Sequence, residues 1–375
     1  MNNLPEPAGL YIHVPFCRAK CPYCDFYSVP ALSLVDNWLR AVQKEAVLYK
    51  DQFSTFDSLY FGGGTPTVLS DETFGKLTSV FRGLFTFAED TEITVEANPE
   101  DVSPEKLEAL KFCGVNRLSI GVQSFNDEEL TFLKRRHSAK EAQTAVELAR
   151  SMGFENIAID LIYLIPGQTQ ESWMNSLERA VGFQPAHLSC YQMTFEEETP
   201  FGRMKAEGKI AVPDEETERR FFLLTSHFLQ DHGYIHYEVS NFARDDASMS
   251  RHNSKYWRHV PYLGLGPAAH SFDGTTRWWN HRSVKQYCWA LEEESKPIEG
   301  SEVLTDEQLR LEKLYLGLRT LDGVPLQEAC PTVSAEASLS SLEHSGLIRL
   351  DNGRIFPTLE GFLVADSLPL MFPDP

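Results

Sequence analysis

Six short apolar runs, each trailed by a stretch with helical spacing, narrow what this chain can fold into more than any other feature. The runs are GLYIHVP (9–15), SLYFGG (58–63), TEITVEANP (91–99), NRLSIGVQ (116–123), NIAIDLIYLIPG (156–167) and HLSCYQM (187–193). Between them, Leu34, Trp38, Ala41, Val42, Glu45 and Leu48 recur at helical intervals over 33–50. Ser70-Asp71-Glu72 opens a helix to about Phe85, Ser103-Pro104 starts the next, and two more cover 138–152 and 169–181. A serine cap followed by proline in the first turn is a helix start, because that proline's missing N–H costs nothing there. Strand and helix alternating over about 190 residues predict right-handed βαβ units on a parallel sheet. The strands are apolar at nearly every position, as strands covered on both faces are. Eight such units close a barrel; six predict a partial (β/α)6 barrel, open on one side. A doubly wound sheet is the alternative, and both forms place the active site at the carboxyl ends of the strands.

At 375 residues the chain exceeds one compact unit. The expected division is a main domain over 1–295, with an aromatic-rich extension from 200, and a second over 300–375. Residues 215–234 read as one long helix, and 296–308 as a linker into a helix at 306–319. Helix 336–345, a hairpin turning on Asn352-Gly353 and helix 359–367 predict a winged-helix-like α+β domain. Residues 301–375 hold five Lys/Arg against twelve Asp/Glu, which disfavours DNA. The whole chain carries −20, so free nucleic acid is not an expected partner; Lys134-Arg135-Arg136 is a local basic exception. No run of about twenty apolar residues occurs, and MNNLPEPAG lacks a secretion pattern, so a cytoplasmic protein without a membrane span is expected.

Seven cysteines occur, at 17, 21, 24, 113, 190, 288 and 330, and the first three cluster as FCRAKCPYC. The isolated four are expected to pack as small hydrophobes. In a reducing compartment three clustered thiols point to metal or redox chemistry. Structural zinc wants four ligands, commonly from two knuckles, and no second knuckle exists; His13 as a fourth lies within the first strand. A cubane [4Fe–4S] cluster held by three thiolates keeps one iron open to a small ligand. Soft thiolates and the ligand count favour the cluster, with zinc the alternative.

This C-x3-C-x2-C after the first strand of a six-unit α/β domain resembles the radical S-adenosylmethionine (SAM) superfamily. There, the open iron chelates the amino and carboxylate groups of SAM, and one electron cleaves it to methionine and a 5′-deoxyadenosyl radical. YIHVPFC, YFGGGTPT, EANPE, NRLSIGVQSF, DLIYLIPGQT and GLGPAAHS together resemble the oxygen-independent coproporphyrinogen III oxidases and their relatives. Those oxidases carry a further cysteine where this chain has Phe26. HNSKYW (252–257) resembles instead the H-N-x-x-Y-W motif of the family's haem-chaperone branch, in which haem is delivered to respiratory haem enzymes and coproporphyrinogen is not turned over.

The resemblance implies the following roles. Cys17, Cys21 and Cys24 hold the cluster. Gly63, Gly64 and Thr65 contact the methionyl part of SAM; Glu96, Gln123, Arg135 and Asp160 bind further parts of it. Tyr23 lies beside the adenine and Tyr11 near the sulfonium. His252, Tyr256 and Trp257 serve haem, with His270 a weaker candidate. Each has a plainer reading: the glycines as a turn, Lys134–Arg136 as a solvated helix end, the tyrosines as core, His252 as a histidine beside an aromatic core. A chaperone serving respiratory acceptors would also touch the membrane peripherally. The enzymatic alternative is coproporphyrinogen III decarboxylation.

Overall fold

The computed structural model describes residues 6–329 and 336–372; Cys330, expected to pack in a core, lies outside them. β1 (Ala8–Val14), β2 (Phe56–Gly63), β3 (Phe87–Ala97), β4 (Arg117–Gln123), β5 (Asn156–Tyr163) and β6 (His187–Gln192) stand parallel and in chain order. The crossovers are α1 (Val35–Leu48), α2 (Asp71–Leu84), α3 (Pro104–Phe112), α4 (Asp127–Phe132) with α5 (Ala139–Ser151), and α6 (Gln170–Gly182). An order that never reverses has no switch point, so the doubly wound alternative is excluded and the partial barrel stands.

Local chemistry starts these helices where the sequence predicts. Ser70 accepts from the Thr73 N–H at 3.2 Å, Ser103 from Lys106 at 3.2 Å, and Ser138 with Glu141 forms a reciprocal capping box. Helix α1 turns Trp38, Leu39, Val42 and Ala46 inward onto Leu10, Ile12, Phe61 and their neighbours, all buried.

Beyond β6 come α7 (Pro200–Ala206), α8 (Glu215–Asp231), β7 (Ile235–Glu238), β8 (Asn241–Ala243) and α9 (Arg251–Trp257). Then follow β9 (Tyr262–Leu265), β10 (His270–Phe272), β11 (Thr276–Asn280), α10 (Val284–Glu292) and β12 (Ile298–Val303). β9 runs parallel beside β1, and the remaining short strands pair antiparallel, giving one sheet ordered β12-β11-β10-β9-β1-β2-β3-β4-β5-β6-β8-β7. The stretch read as a linker, 296–308, therefore carries the edge strand β12: Arg277 beside Glu302 and Trp279 over Gly300 hold it in register.

Thr305 caps α11 (Asp306–Gly317), which leads through β13 (Val324–Pro325) and α12 (Leu326–Ala329) to α13 (Glu336–His344), β14 (Ile348–Asp351), β15 (Arg354–Pro357) and α14 (Leu359–Leu363). β13, β15 and β14 form a separate three-stranded sheet over Leu314, Leu318, Leu339, Ile348, Ile355 and Leu368. Asn352 and Gly353, at φ +47° and +72°, make the predicted tight turn. Among the described residues no helix is long and apolar enough to cross a membrane.

Candidate functional site

The three clustered cysteines lie in the loop leaving the carboxyl end of β1, each partly exposed. Backbone bonds shape this loop: Cys17 N–H to Val29 O at 3.2 Å, Val29 N–H to Pro15 O at 2.8 Å, Cys24 N–H to Cys21 O at 3.2 Å. The glycine turn after β2 is fastened to it, with Gly64 N–H on Val14 O at 2.9 Å and Thr65 N–H on Phe16 O at 2.7 Å. A Cβ on Gly64 would sit 2.6 Å from both the Val14 and Phe16 carbonyl oxygens, so only glycine fits. Thr65 Oγ1 donates to Cys17 Sγ at 3.4 Å and accepts from Asn98 Nδ2 at 3.0 Å. Arg135 reaches over from the loop after α4. It donates to Cys21 Sγ at 3.7 Å, Asn98 Oδ1 at 2.5 Å and Gly121 O at 2.8 Å, while its buried Nε has no partner. Burial pushes the Cys24 thiol up to about 11. No group of three His, Cys, Asp or Glu side chains among the described residues converges on one metal ion's position.

Deeper in the barrel, Glu96 accepts from Tyr60 OH at 2.8 Å and from Gly63 N–H at 3.2 Å. Burial raises its carboxyl to about 7, against the lowering pull of the Tyr60 hydroxyl. Gly63 is at φ +97°, and a Cβ there would strike the His13 ring. Gln123 ends β4 at φ +68° with its amide folded over Gly121. Asp160 on β5 accepts from Ser119 Oγ at 2.9 and 3.1 Å, and burial raises its carboxyl too. Tyr23, within the cysteine loop, packs beside Leu133 and Phe201, and burial raises its phenol. Tyr11 OH bonds His13 Nδ1 at 3.1 Å. A glycine cradle, a buried carboxylate and an arginine with a free Nε suit a ligand carrying an amine and a carboxylate, and three thiols beside them suit iron. Gly63, Gly64, Thr65, Glu96 and Gln123 thus lie at the carboxyl ends of β2 to β4, Tyr11 and Asp160 stand within β1 and β5, and Tyr23 and Arg135 lie in the loops after β1 and α4.

HNSKYW forms α9, beneath the amino ends of β1 to β3. His252 is buried, 1% exposed. Its Nδ1 meets Ser58 Oγ at 3.0 Å and its Nε2 meets Tyr256 OH at 2.9 Å, so both ring nitrogens are engaged. Burial lowers its pKa to about 3, helped by Lys255 and Arg117. The ring stacks on Tyr60 at 5.2 Å and near Tyr11 at 6.2 Å. To ligate iron it would have to surrender one of its bonds. Trp257 points elsewhere, into a cleft shared with Tyr237, Met249 and Arg258.

The buried partners of Glu92, Lys255 and Glu45 escape sequence reasoning, which reads Glu45 only as a helix position. Glu92 accepts from the Arg251 and His252 N–H groups at 3.2 and 3.1 Å, capping α9, with the buried Arg117 3.9 Å away. Lys255, fully buried, pairs with Asp57 at 2.8 Å. Glu45, fully buried on α1, accepts from Gly266 N–H at 2.8 Å, Asn280 Nδ2 at 2.6 Å and the Tyr287 hydroxyl. The signal available was weak: Glu45 falls on the inward side of its helix's spacing, whereas Glu92 and Lys255 lie among polar neighbours and are buried only because distant partners pair or hydrogen-bond them.

Comparison with known proteins bears on the family and the fold. Residues 11–180 match the radical SAM superfamily model, and 304–364 match the HemN C-terminal domain. The chain is 36% identical over 370 residues to the haem chaperone HemW of Bacillus subtilis, covering 96% of this chain and 97% of that one. It is 35% identical over 371 residues to the HemW of Mycobacterium tuberculosis, covering 97% and 94%. The mitochondrial radical SAM domain-containing protein 1 of Danio rerio is 31% identical, with 96% and 86% covered. The solved structure of the Escherichia coli coproporphyrinogen III oxidase HemN, described as a radical SAM enzyme, superposes with a TM-score of 0.84 at 26% identity, over 98% of this chain and 90% of that one. The chain belongs to the HemW family of the radical SAM superfamily.

Proposed function

We propose that this protein is a haem chaperone, carrying a [4Fe–4S] cluster on Cys17, Cys21 and Cys24 and SAM at the barrel mouth, which passes haem to respiratory haem proteins. The observation that carries this reading is full-length likeness to haem chaperones together with an exposed phenylalanine, Phe26, where the oxidases have their further cysteine. When bound, the cluster supplies an open iron for chelating SAM and a one-electron redox couple. This chain's own part is positional. Thr65 and Arg135 bond two of the thiols; Glu96 and the Gly63 N–H offer an acceptor and a donor to the amino-acid portion of SAM; Tyr11 and Asp160 line the space below. We assign the HNSKYW helix to the floor of that chamber. We place the protein in the cytoplasm, with acceptors bringing it to the membrane edge.

Anaerobic reconstitution tests this. Iron and sulfide near four each, retained SAM, and saturable roughly stoichiometric haem binding followed by transfer to an apo-cytochrome are expected. The likeness to HemN favours a second reading, porphyrinogen decarboxylation. Consumption of coproporphyrinogen III by haem-incompetent protein would establish it instead.

A further inference from the structure

The structure offers a histidine better placed than His252 to hold iron. We propose that His270, on the open sheet shelf it forms with Trp279 and Gly300 beside the cysteine loop, is the axial ligand that takes up haem. This rests on the haem reading above and names the ligand within it.

His270 opens β10 and is exposed; among the described residues its ring nitrogens have no hydrogen-bond partner. It lies directly across from Trp279 in the β10–β11 pair, and the two rings stack at 5.9 Å and 24°. Trp279 in turn lies over Gly300 of β12, where a Cβ would come within 2.3 Å of the indole. The neighbouring Trp278 packs the opposite way, against Tyr49 at the end of α1, at 5.9 Å. Alternation therefore turns the His270–Trp279 pair to the side of the sheet away from α1. An aromatic shelf formed by a half-buried indole, carrying an exposed imidazole without a hydrogen-bond partner among the described residues, suits a flat apolar macrocycle.

The surroundings fit the rest of the ligand. Arg282, half exposed, donates to Asp25 O at 2.7 Å, which ties the shelf to the cysteine loop and offers a guanidinium to a carboxylate of the porphyrin. Phe26, next to Asp25, is 68% exposed and presents an apolar ring at that edge. Partial desolvation of the ring by its neighbours, with Arg277 and Arg282 nearby, lowers the imidazole's pKa and so favours the neutral form that ligates iron. The step is a single Fe–N coordinate bond with no electron transferred. An exposed ligand also suits cargo that must leave again.

The test compares wild type, His270→Ala, His270→Gln and His252→Ala in anaerobic haem titrations, read by the Soret band and by magnetic circular dichroism of the ferric form. We expect both His270 variants to lose the histidine-ligated spectrum and to weaken binding at least about tenfold. Added imidazole should restore the spectrum in His270→Ala, and His252→Ala should keep it. A wild-type spectrum and affinity in both His270 variants would overturn the proposal and leave the haem reading intact. Absence of binding by the wild type would overturn both.

Discussion

Gly64 and Arg135 illustrate two ways in which single residues shape this site. At Gly64 the constraint is space: two carbonyl oxygens already occupy the position of a Cβ. In Gly64→Ala the carboxyl ends of β1 and β2 must part, at a cost of about 1–3 kcal/mol. The expected outcome is a folded protein whose iron content after reconstitution falls well below wild type, measured by metal analysis. At Arg135 the constraint is shape. One planar guanidinium reaches Cys21, Asn98 and Gly121 at once, which an ammonium does not. Arg135→Lys should keep its cluster and bind SAM about tenfold more weakly by calorimetry. The sequence reading identified both residues through motif likeness, but not their reasons. The contacts that make Gly64 irreplaceable come from a strand some fifty residues earlier, and no local pattern encodes them.

Among the elements, α9 depends most on partners distant in sequence. Its first two amide groups donate to Glu92, whose negative charge is also the nearest counter-charge to Arg117. Glu92→Ala leaves the first two amides of the helix without their acceptor and strands a buried guanidinium, so a loss of about 3–5 kcal/mol in urea unfolding is expected. The half-exposed pair Arg219–Glu360, between α8 and α14, is the contrast: Arg219→Ala should cost no more than about 1 kcal/mol in the same assay. The six βα units were legible because strand runs and helix caps are local signals, and their observed bounds fall within a few residues of the reading. β7 to β12 were not. They are three to six residues long, and partners across the sheet define them more than their own pattern does. The HNSKYW segment was legible as a motif, while its place under the barrel was not, since Ser58, Glu92 and Gly9 hold it there.

For the whole molecule, the interior stores titratable groups that set the pH range of stability. Burial raises Glu45, Glu96 and Glu238 to about 7 each, against hydrogen bonds that pull the other way. Each stays protonated in the native chain at pH values where the unfolded chain has released its proton, so stability falls as pH rises toward 7 and just beyond. Burial lowers His13 and His236 to about 4 and His252 to about 3, with the opposite sign: stability rises with pH until the unfolded value near 6.5. Above about 6.5 only the carboxylates still contribute. Stability should therefore drop between pH 6.5 and 8 by about 1 kcal/mol for each. Glu45→Gln should flatten that slope in urea titrations at the two pH values, whatever its effect on absolute stability.

The stack of Tyr60 on His252 has a consequence for how the two ends of the barrel sense one another. Tyr60 donates its hydroxyl to Glu96, just below the mouth, while its ring lies on His252 at the floor. A molecule seated against Glu96 holds Tyr60 still, and Tyr60 in turn holds α9. Amide protons in α9 should therefore exchange with deuterium more slowly when the mouth is filled than when it is empty, making the floor a built-in gauge of occupancy at the opposite end.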